Sequence, residues 1–274
     1  MKFRAICTDI DGTLLNQDRQ LSQRTIATIK SLDKTVPVIL ASSRMPSAMR
    51  HLQQELGILQ QPLICFNGGY VIHFEENKTD TIQLDSVQIP APVCQTIHDF
   101  IKDTAIHLSL YEQDNWYAPA FDYWADREAC NTKVSPKITA LKPILETWHQ
   151  SGTGAHKVMC MGPADEVDAL HQELTKNFAD QVHAYRSKDT YLEIAPRAIS
   201  KATALELLLK QRFDIGMHEV MAFGDNYNDI DMLQAVGMGI AVGNARDEAK
   251  AVANEITLNS IEDGVAIAIE KYWK

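Results

Sequence analysis

The sequence predicts an α/β protein: a doubly wound, Rossmann-like parallel sheet interrupted by an inserted α+β domain. Three observations predict it. Short apolar runs alternate with amphipathic helical stretches before residue 70 and again after residue 199, the pattern of parallel βα units. From about residue 84 the pattern changes to short runs paired across turn residues, which indicates antiparallel hairpins. In the outer segments the runs end in polar residues, and open parallel sheets bind ligands beyond the carboxyl ends of their strands. The expected division is a core of 1–83 and 193–274 around an insert of 84–192.

The first run, residues 5–8, leads into Asp9, Ile10 and Asp11. In an extended chain this alternation puts both carboxylates on one side, and Gly12 and Thr13 then break the strand. Two ionised acids so close need a metal, a cation or a proton to coexist. Ile26 and Ile29 predict a helix to about residue 32 with Ser22 as N-cap. Residues 36–41 read as a second strand ending in Ser42, Ser43 and Arg44. A helix over 45–56 follows, with Gly57 at its C-cap. Residues 62–66 read as a third strand, ending in Asn67-Gly68-Gly69.

The insert predicts a helix over 92–103 and a hairpin of 106–111 with 116–118. Helices over 121–131 and 138–148, a strand over 157–161 and a helix over 164–178 come next. A second hairpin pairs 182–186 with 191–195. The insert holds three of the four tryptophans and six of the nine histidines. A small sheet covered by helices needs large core residues of this kind. The core pattern resumes with Ser200-Lys201 and a helix whose apolar face is Leu205, Leu208 and Leu209. A strand over 219–223 then runs into Gly224-Asp225-Asn226-Tyr227-Asn228-Asp229. A helix carrying Ile230 and Leu233, a strand over 238–242 ending in Gly243-Asn244-Ala245, and a helix over 261–273 complete the chain.

Net charge is −10, and no Lys/Arg block interrupts the acidic balance, so nucleic acid and anionic membrane are disfavoured as partners. No apolar run approaches a membrane span, and the N-terminal apolar stretch is too short for a signal-peptide core. Five scattered cysteines without a CxxC pair speak against a disulfide framework or a zinc cluster and fit a reducing cytoplasm.

Asp9, Asp11, Thr13, Ser42, Lys201, Asp225, Asn228 and Asp229 all fall at the expected strand ends or next to them. Oxygen donors of this kind suit Mg²⁺, which keeps some waters and bridges to phosphate. An ammonium and hydroxyls suit the remaining phosphate oxygens. A carboxylate nucleophile is a known device of covalent phosphoryl transfer.

DIDGTLL at 9–15, SSR at 42–44, SK at 200–201 and GDNYND at 224–229 resemble, in order and separation, the four motifs of the haloacid dehalogenase superfamily. The insert between the second and third motifs is similar to the type C2 (IIB) cap of the Cof-like phosphatase branch. NGG at 67–69 and YLEIAPRAISKATAL at 191–205 also resemble that branch. The resemblance covers essentially the whole chain. It implies a Mg²⁺-dependent phosphatase of small phosphorylated metabolites, such as sugar phosphates or phosphorylated cofactors, acting through an aspartyl-phosphate. Asp9 is then the nucleophile and Asp11 the acid/base, while Thr13, Ser42 and Lys201 bind phosphate. The Asp9 side chain, the Asp11 carbonyl and Asp225 hold Mg²⁺, with Asn228 and Asp229 in or beside the shell. Arg44 and Asn67 face the substrate or the cap. Ser43 departs from the family, which often has Gly there, and this bears on local backbone shape and substrate clearance. P-type ATPases have Thr in place of Asp11, and dehalogenases lack the second acid, so Asp11 favours a phosphatase or a phosphomutase. A phosphomutase is the first alternative; phosphate release without a mutase product separates the two. A non-catalytic phosphometabolite sensor is the second, separated by metal-dependent turnover.

Overall fold

A computed structural model describes residues 3–74 and 81–273. They form two units, one of 3–44, 49–74, 81–85 and 200–273, the other of 45–48 and 86–199.

The first unit opens with strand β1 (Ala5–Thr8), buried throughout. Helix α1 (Gln23–Ser31) is capped by Ser22, whose side chain accepts the Thr25 N–H as expected of an N-cap serine. Next come β2 (Val38–Ala41), α2 (Ser47–Leu56) and β3 (Leu63–Cys65). Gly57 ends α2 at φ 72°, with its N–H on Gln54 O and that of Ile58 on Gln53 O. A left-handed residue with this pair of bonds is the Schellman stop that glycine adopts at least cost. Two further strands follow, β4 (Tyr70–Phe74) and β5 (Thr81–Ser86).

The second unit contains β6 (Ile89–Pro90), α3 (Ala91–Phe100), β7 (His107–Glu112), β8 (Asn115–Ala118) and α4 (Tyr123–Thr132). It continues with β9 (Lys137–Ile138), α5 (Leu141–Ser151), β10 (Gly154–Ala155), β11 (Lys157–Met161) and α6 (Ala164–Phe178). Strands β12 (Val182–Lys188) and β13 (Tyr191–Pro196) complete it. Its six-stranded sheet has the order β12-β13-β11-β7-β8-β9, and both expected hairpins are present, β7 with β8 and β12 with β13. Helices α3, α5 and α6 supply Cys94, Ile97, Leu145, Trp148 and Leu170 to the core against Leu110, Val158 and Ile194 of the sheet. The unit runs to Ile199, past residue 193, because β13 pairs on both sides within this sheet. The helix expected from residue 138 starts at Leu141, because Lys137 and Ile138 form a parallel ladder with Tyr117 and Ala118.

The chain returns to the first unit with α7 (Lys201–Arg212), β14 (Val220–Gly224), α8 (Ile230–Ala235), β15 (Met238–Ala241), α9 (Asp247–Val252), β16 (Glu255–Ile256) and α10 (Gly264–Tyr272). The last helix begins at Gly264 rather than 261 because Asp263 is left-handed, at φ 60°. The eight-stranded sheet has the order β16-β15-β14-β1-β2-β3-β4-β5. From β16 to β3 every pair is parallel, and β4 adds antiparallel to β3. Leu205, Leu208 and Leu209 of α7 pack with Cys7, Ile39, Ile64 and Ala222 of the sheet. Strand order reverses at β1: the chain moves outward through β2 and β3 on one side and later through β14, β15 and β16 on the other. A crevice at such a reversal, at the carboxyl ends of the strands, is where ligands bind. Asp9 follows β1, Ser42 follows β2 and Asp225 follows β14.

Candidate active site

The β1 end turns sharply. Gly12 has φ 90°, and a Cβ on it would stand 2.6 Å from Asp225 Oδ2. Glycine is therefore required both by the backbone and by the approach of the 224–229 loop. That loop is tied by Asp229. Its Oδ2 accepts the N–H groups of Asp225 (3.0 Å) and Asn226 (3.1 Å), and its Oδ1 accepts Lys201 Nζ at 2.7 Å. Asp229 is 0% exposed and Lys201 1%. Lys201 is the first residue of α7, whose N-cap Ser200 forms a capping box with Thr203, so the start of the helix fixes the lysine. The same ammonium donates to Asp9 Oδ1 at 2.5 Å.

Asp9, Asp225 and Asp229 bring carboxylate oxygens within 4.8 Å of one another. Burial pushes the Asp9 carboxyl well above the ordinary range; Lys201 pulls it back, and Asp229 and Asp225 push it up again. Burial also lifts Asp225 to about 6, against the hydrogen bond that Thr13 Oγ1 donates to its Oδ1 at 2.8 Å. Burial disfavours the charge on Lys201, but Asp229 and Asp9 outweigh it and hold the ammonium protonated above its ordinary range. Lys201 thus bonds two of the three carboxylates, and Asp225 takes Thr13 instead. A divalent cation of hard, oxygen-seeking character favours the ionised form of the raised Asp9 and Asp225 carboxyls, so the donor set fits Mg²⁺.

Asp11 stands apart from this cluster. Arg44 Nε and Nη2 donate to its Oδ2 and Oδ1, each at 2.7 Å. Burial raises the Asp11 carboxyl, but the Arg44 hydrogen bonds and charge outweigh that and hold it below the ordinary value. Arg44, expected to face substrate or cap, is buried, and its fork is turned onto Asp11, because a buried guanidinium needs a carboxylate partner. Ser42 is buried beside it and accepts the Arg44 N–H at 3.3 Å. Asn67 sits at φ 58° and accepts Asn228 Nδ2 at 2.9 Å, which joins the β3 loop to the 224–229 loop. Gly68 permits this, since a Cβ there would lie 2.6 Å from Ser200 O.

All ten residues expected at the site lie in the first unit. Sequence reasoning missed Asn244. Its Nδ2 donates to Gly12 O at 2.7 Å and its Oδ1 accepts the Ser260 N–H at 2.8 Å, so it braces the turn after Asp11. The available signal was its place just past β15, at the same edge of the sheet as Asp9 and Asp225. Arg246, also missed, donates its backbone N–H to Asp225 O and its Nε to Asn226 Oδ1, both at 2.9 Å.

Residues 6–269 match the family of haloacid dehalogenase-like hydrolases. The 5-amino-6-(5-phospho-D-ribitylamino)uracil phosphatase YitU of Bacillus subtilis is 27% identical over 275 residues, covering 98% of this chain and 97% of that protein. The HMP-PP phosphatase of Yersinia enterocolitica is 28% identical over 249 residues, covering 90% of this chain and 86% of its own. A solved haloacid dehalogenase-like hydrolase from Bacteroides thetaiotaomicron superimposes with a TM-score of 0.86 at 28% identity, covering 98% of this chain and 99% of that one. The chain belongs to the haloacid dehalogenase-like hydrolase family and is a phosphatase. Among the described residues no helix is long and apolar enough to cross a membrane.

Proposed function

We propose that the protein is a Mg²⁺-dependent phosphomonoesterase that releases phosphate from small phosphorylated metabolites through an aspartyl-phosphate on Asp9. The observation that carries this reading is the cluster of three carboxylates at the crevice, Asp9, Asp225 and Asp229, of which Lys201 bonds Asp9 and Asp229. Asp9, Asp225 and the Asp11 carbonyl would hold the ion, with Asn228 in or beside its shell. Asp229, whose oxygens already take Lys201 and two backbone N–H groups, supports the site from behind. When bound, the ion offsets repulsion between the anionic nucleophile and the phosphate and stabilises charge on the phosphoryl oxygens.

The Asp9 carboxylate attacks phosphorus, the bond to the leaving oxygen breaks, and Asp11 gives that oxygen its proton. Asp11, now a carboxylate, takes a proton from water as the water oxygen attacks the acyl phosphate. The bond to Asp9 breaks and inorganic phosphate leaves. Lys201, Ser42 and Thr13 hold the phosphoryl oxygens. Thr13 also donates to Asp225, and Lys201 to the two buried acids Asp9 and Asp229, which ties the phosphate-binding groups to the proposed metal ligands.

The names of the two enzyme relatives, for 5-amino-6-(5-phospho-D-ribitylamino)uracil and for HMP-PP, support a small phosphorylated substrate. The inserted unit, 86–199, selects among substrates. The five free cysteines fit a cytoplasmic protein. Purified protein assayed on a panel of phosphorylated metabolites tests the reading. Phosphate release should stop with EDTA and return with Mg²⁺, while Ca²⁺ should support less, since it prefers more ligands and looser geometry. Full turnover after rigorous chelation would remove the metal from the proposal.

A further inference from the structure

The loop after the Asp11 turn carries a cation that the steps above do not use. Asn16 builds this loop. Its Oδ1 accepts the N–H groups of Asp18 and Gln20, each at 3.0 Å. Its backbone N–H donates to Gln20 O, and its carbonyl accepts the Arg19 N–H, both at 3.0 Å. Closing the turn places Arg19 at φ 57°, which a residue with a Cβ adopts only at a cost. The result is a guanidinium held beside Asp11.

Asp11 has little need of it. Both carboxylate oxygens are already taken by Arg44 at 2.7 Å. Arg19 Nη1 stands 3.4 Å from Oδ1, longer than a charge-assisted hydrogen bond, and its side chain is 49% exposed. Arg19 borders an open cavity of about 450 Å³, lined also by Asp11, Gly12, Asn16, Asn244 and Ser260. Among the described residues, Asp11 and Arg19 are the only charged side chains lining it. Since Arg44 already matches the Asp11 charge, Arg19 is a surplus positive charge beside the acid that serves the leaving oxygen.

We infer that Arg19 is a specificity-determining residue that recognises a negatively charged group, phosphate or carboxylate, on the leaving part of the substrate. The preferred metabolites then carry a second anion. This rests on the phosphatase mechanism proposed above, which puts the leaving group next to Asp11.

The test compares kcat/KM of the parent, Arg19→Gln and Arg19→Lys on three esters. Phosphoglycolate has a carboxylate on its leaving group, ethylene glycol bisphosphate has a phosphate, and 2-hydroxyethyl phosphate is the neutral reference; all three leave as alkoxides and ask the same help of Asp11. Arg19→Gln should lower kcat/KM for at least one anionic ester about tenfold more than for the neutral one, chiefly through KM. Arg19→Lys should keep part of the preference, because the charge remains. Whichever anionic ester loses more identifies the group that is read. An effect of Arg19 acting only through Asp11 would touch all three esters by the same factor, and that result overturns the inference. Calorimetric binding of the same esters to an Asp9→Asn chain, with and without Arg19→Gln, makes the comparison without turnover. If the parent hydrolyses none of them, the binding comparison decides the role of Arg19, and the metabolite panel with EDTA and Mg²⁺ decides the phosphatase mechanism separately.

Discussion

Arg44 holds Asp11 by both carboxylate oxygens, Nε to Oδ2 and Nη2 to Oδ1, each at 2.7 Å. A fork of this kind binds a carboxylate and not a carboxylic acid, so Asp11 stands here in its base form. That form is the one able to take a proton from water in the second half of the proposed reaction. Donating a proton in the first half requires loosening one arm of the fork.

Removing the fork should therefore move a pH profile. With Arg44→Gln the Asp11 carboxyl loses the hydrogen bonds and charge that hold it below the ordinary range, and burial then raises it. The ascending limb of kcat against pH, set by ionisation of the base, should shift to higher pH. The same depressed carboxyl stabilises the folded parent above the unfolded value near 4, and that contribution is lost as pH falls through the folded value. The stability gap between parent and variant should accordingly shrink in acid. Stopped-assay profiles and denaturant melts at several pH values check both.

Lys201 neutralises two buried carboxylates at once. Lys201→Ala leaves them unmatched, and breaking a buried pair costs about 3–5 kcal/mol. The variant should melt well below the parent in denaturant. Adding Asp229→Asn should recover part of the loss, because one of the stranded charges is gone. Mg²⁺ should raise the midpoint of Lys201→Ala more than that of the parent, since it supplies positive charge at the same place. Equal Mg²⁺ shifts would argue that the ion binds elsewhere.

Asp225, lifted to about 6 by burial, links metal binding to pH. Between about 4 and 6 the folded, metal-free chain carries a proton that the unfolded chain has lost. This group's contribution to stability therefore falls as pH rises through that window. Mg²⁺ displaces the proton, so apparent Mg²⁺ affinity should climb through this window by up to about tenfold per pH unit for the Asp225 proton. Asp225→Asn should weaken binding and flatten the slope. Titration calorimetry from pH 5 to 8 measures both effects.

Much of this site was legible in the sequence because strand ends announce themselves. Residues 5–8 and 62–66 are apolar runs that stop abruptly at polar residues, and Ser22 and Gly57 mark helix ends by local chemistry alone. Sheet order then brings Asp9 and Asp225, far apart in the chain, to adjacent strands. Less legible were elements whose pairing is supplied by distant strands. Strand β16 is two residues long, and β5 alternates only weakly in burial at the edge of the sheet. The partner of Arg44 was also hidden. Its position predicts a cation near the crevice, but only tertiary packing decides whether a long side chain turns toward Asp11 or toward a ligand.

The two acids of the opening strand should separate in their kinetics. Asp9→Asn should abolish turnover, because an amide is a poor nucleophile and its loss of charge weakens the metal site. In Asp11→Asn the amide still donates a hydrogen bond but cannot shuttle a proton. With p-nitrophenyl phosphate the leaving group is stable as an anion and needs little protonation, so the first step should survive better than the second, in which water must be deprotonated. A burst of nitrophenol approaching about one equivalent per active site, followed by slow turnover, is the expected trace. An alkyl phosphate should give no burst, since its leaving oxygen needs the acid. The variant must first be shown to be folded and to bind Mg²⁺, because Asp11 pairs with Arg44 and its carbonyl is a proposed ligand. Asn at this position also strands the buried Arg44 charge, so Asp11→Glu, which keeps a carboxylate within reach of the fork, serves as the control for folding. A folded, metal-loaded Asp11→Asn enzyme that hydrolyses alkyl phosphates at the parent rate would remove Asp11 from the mechanism.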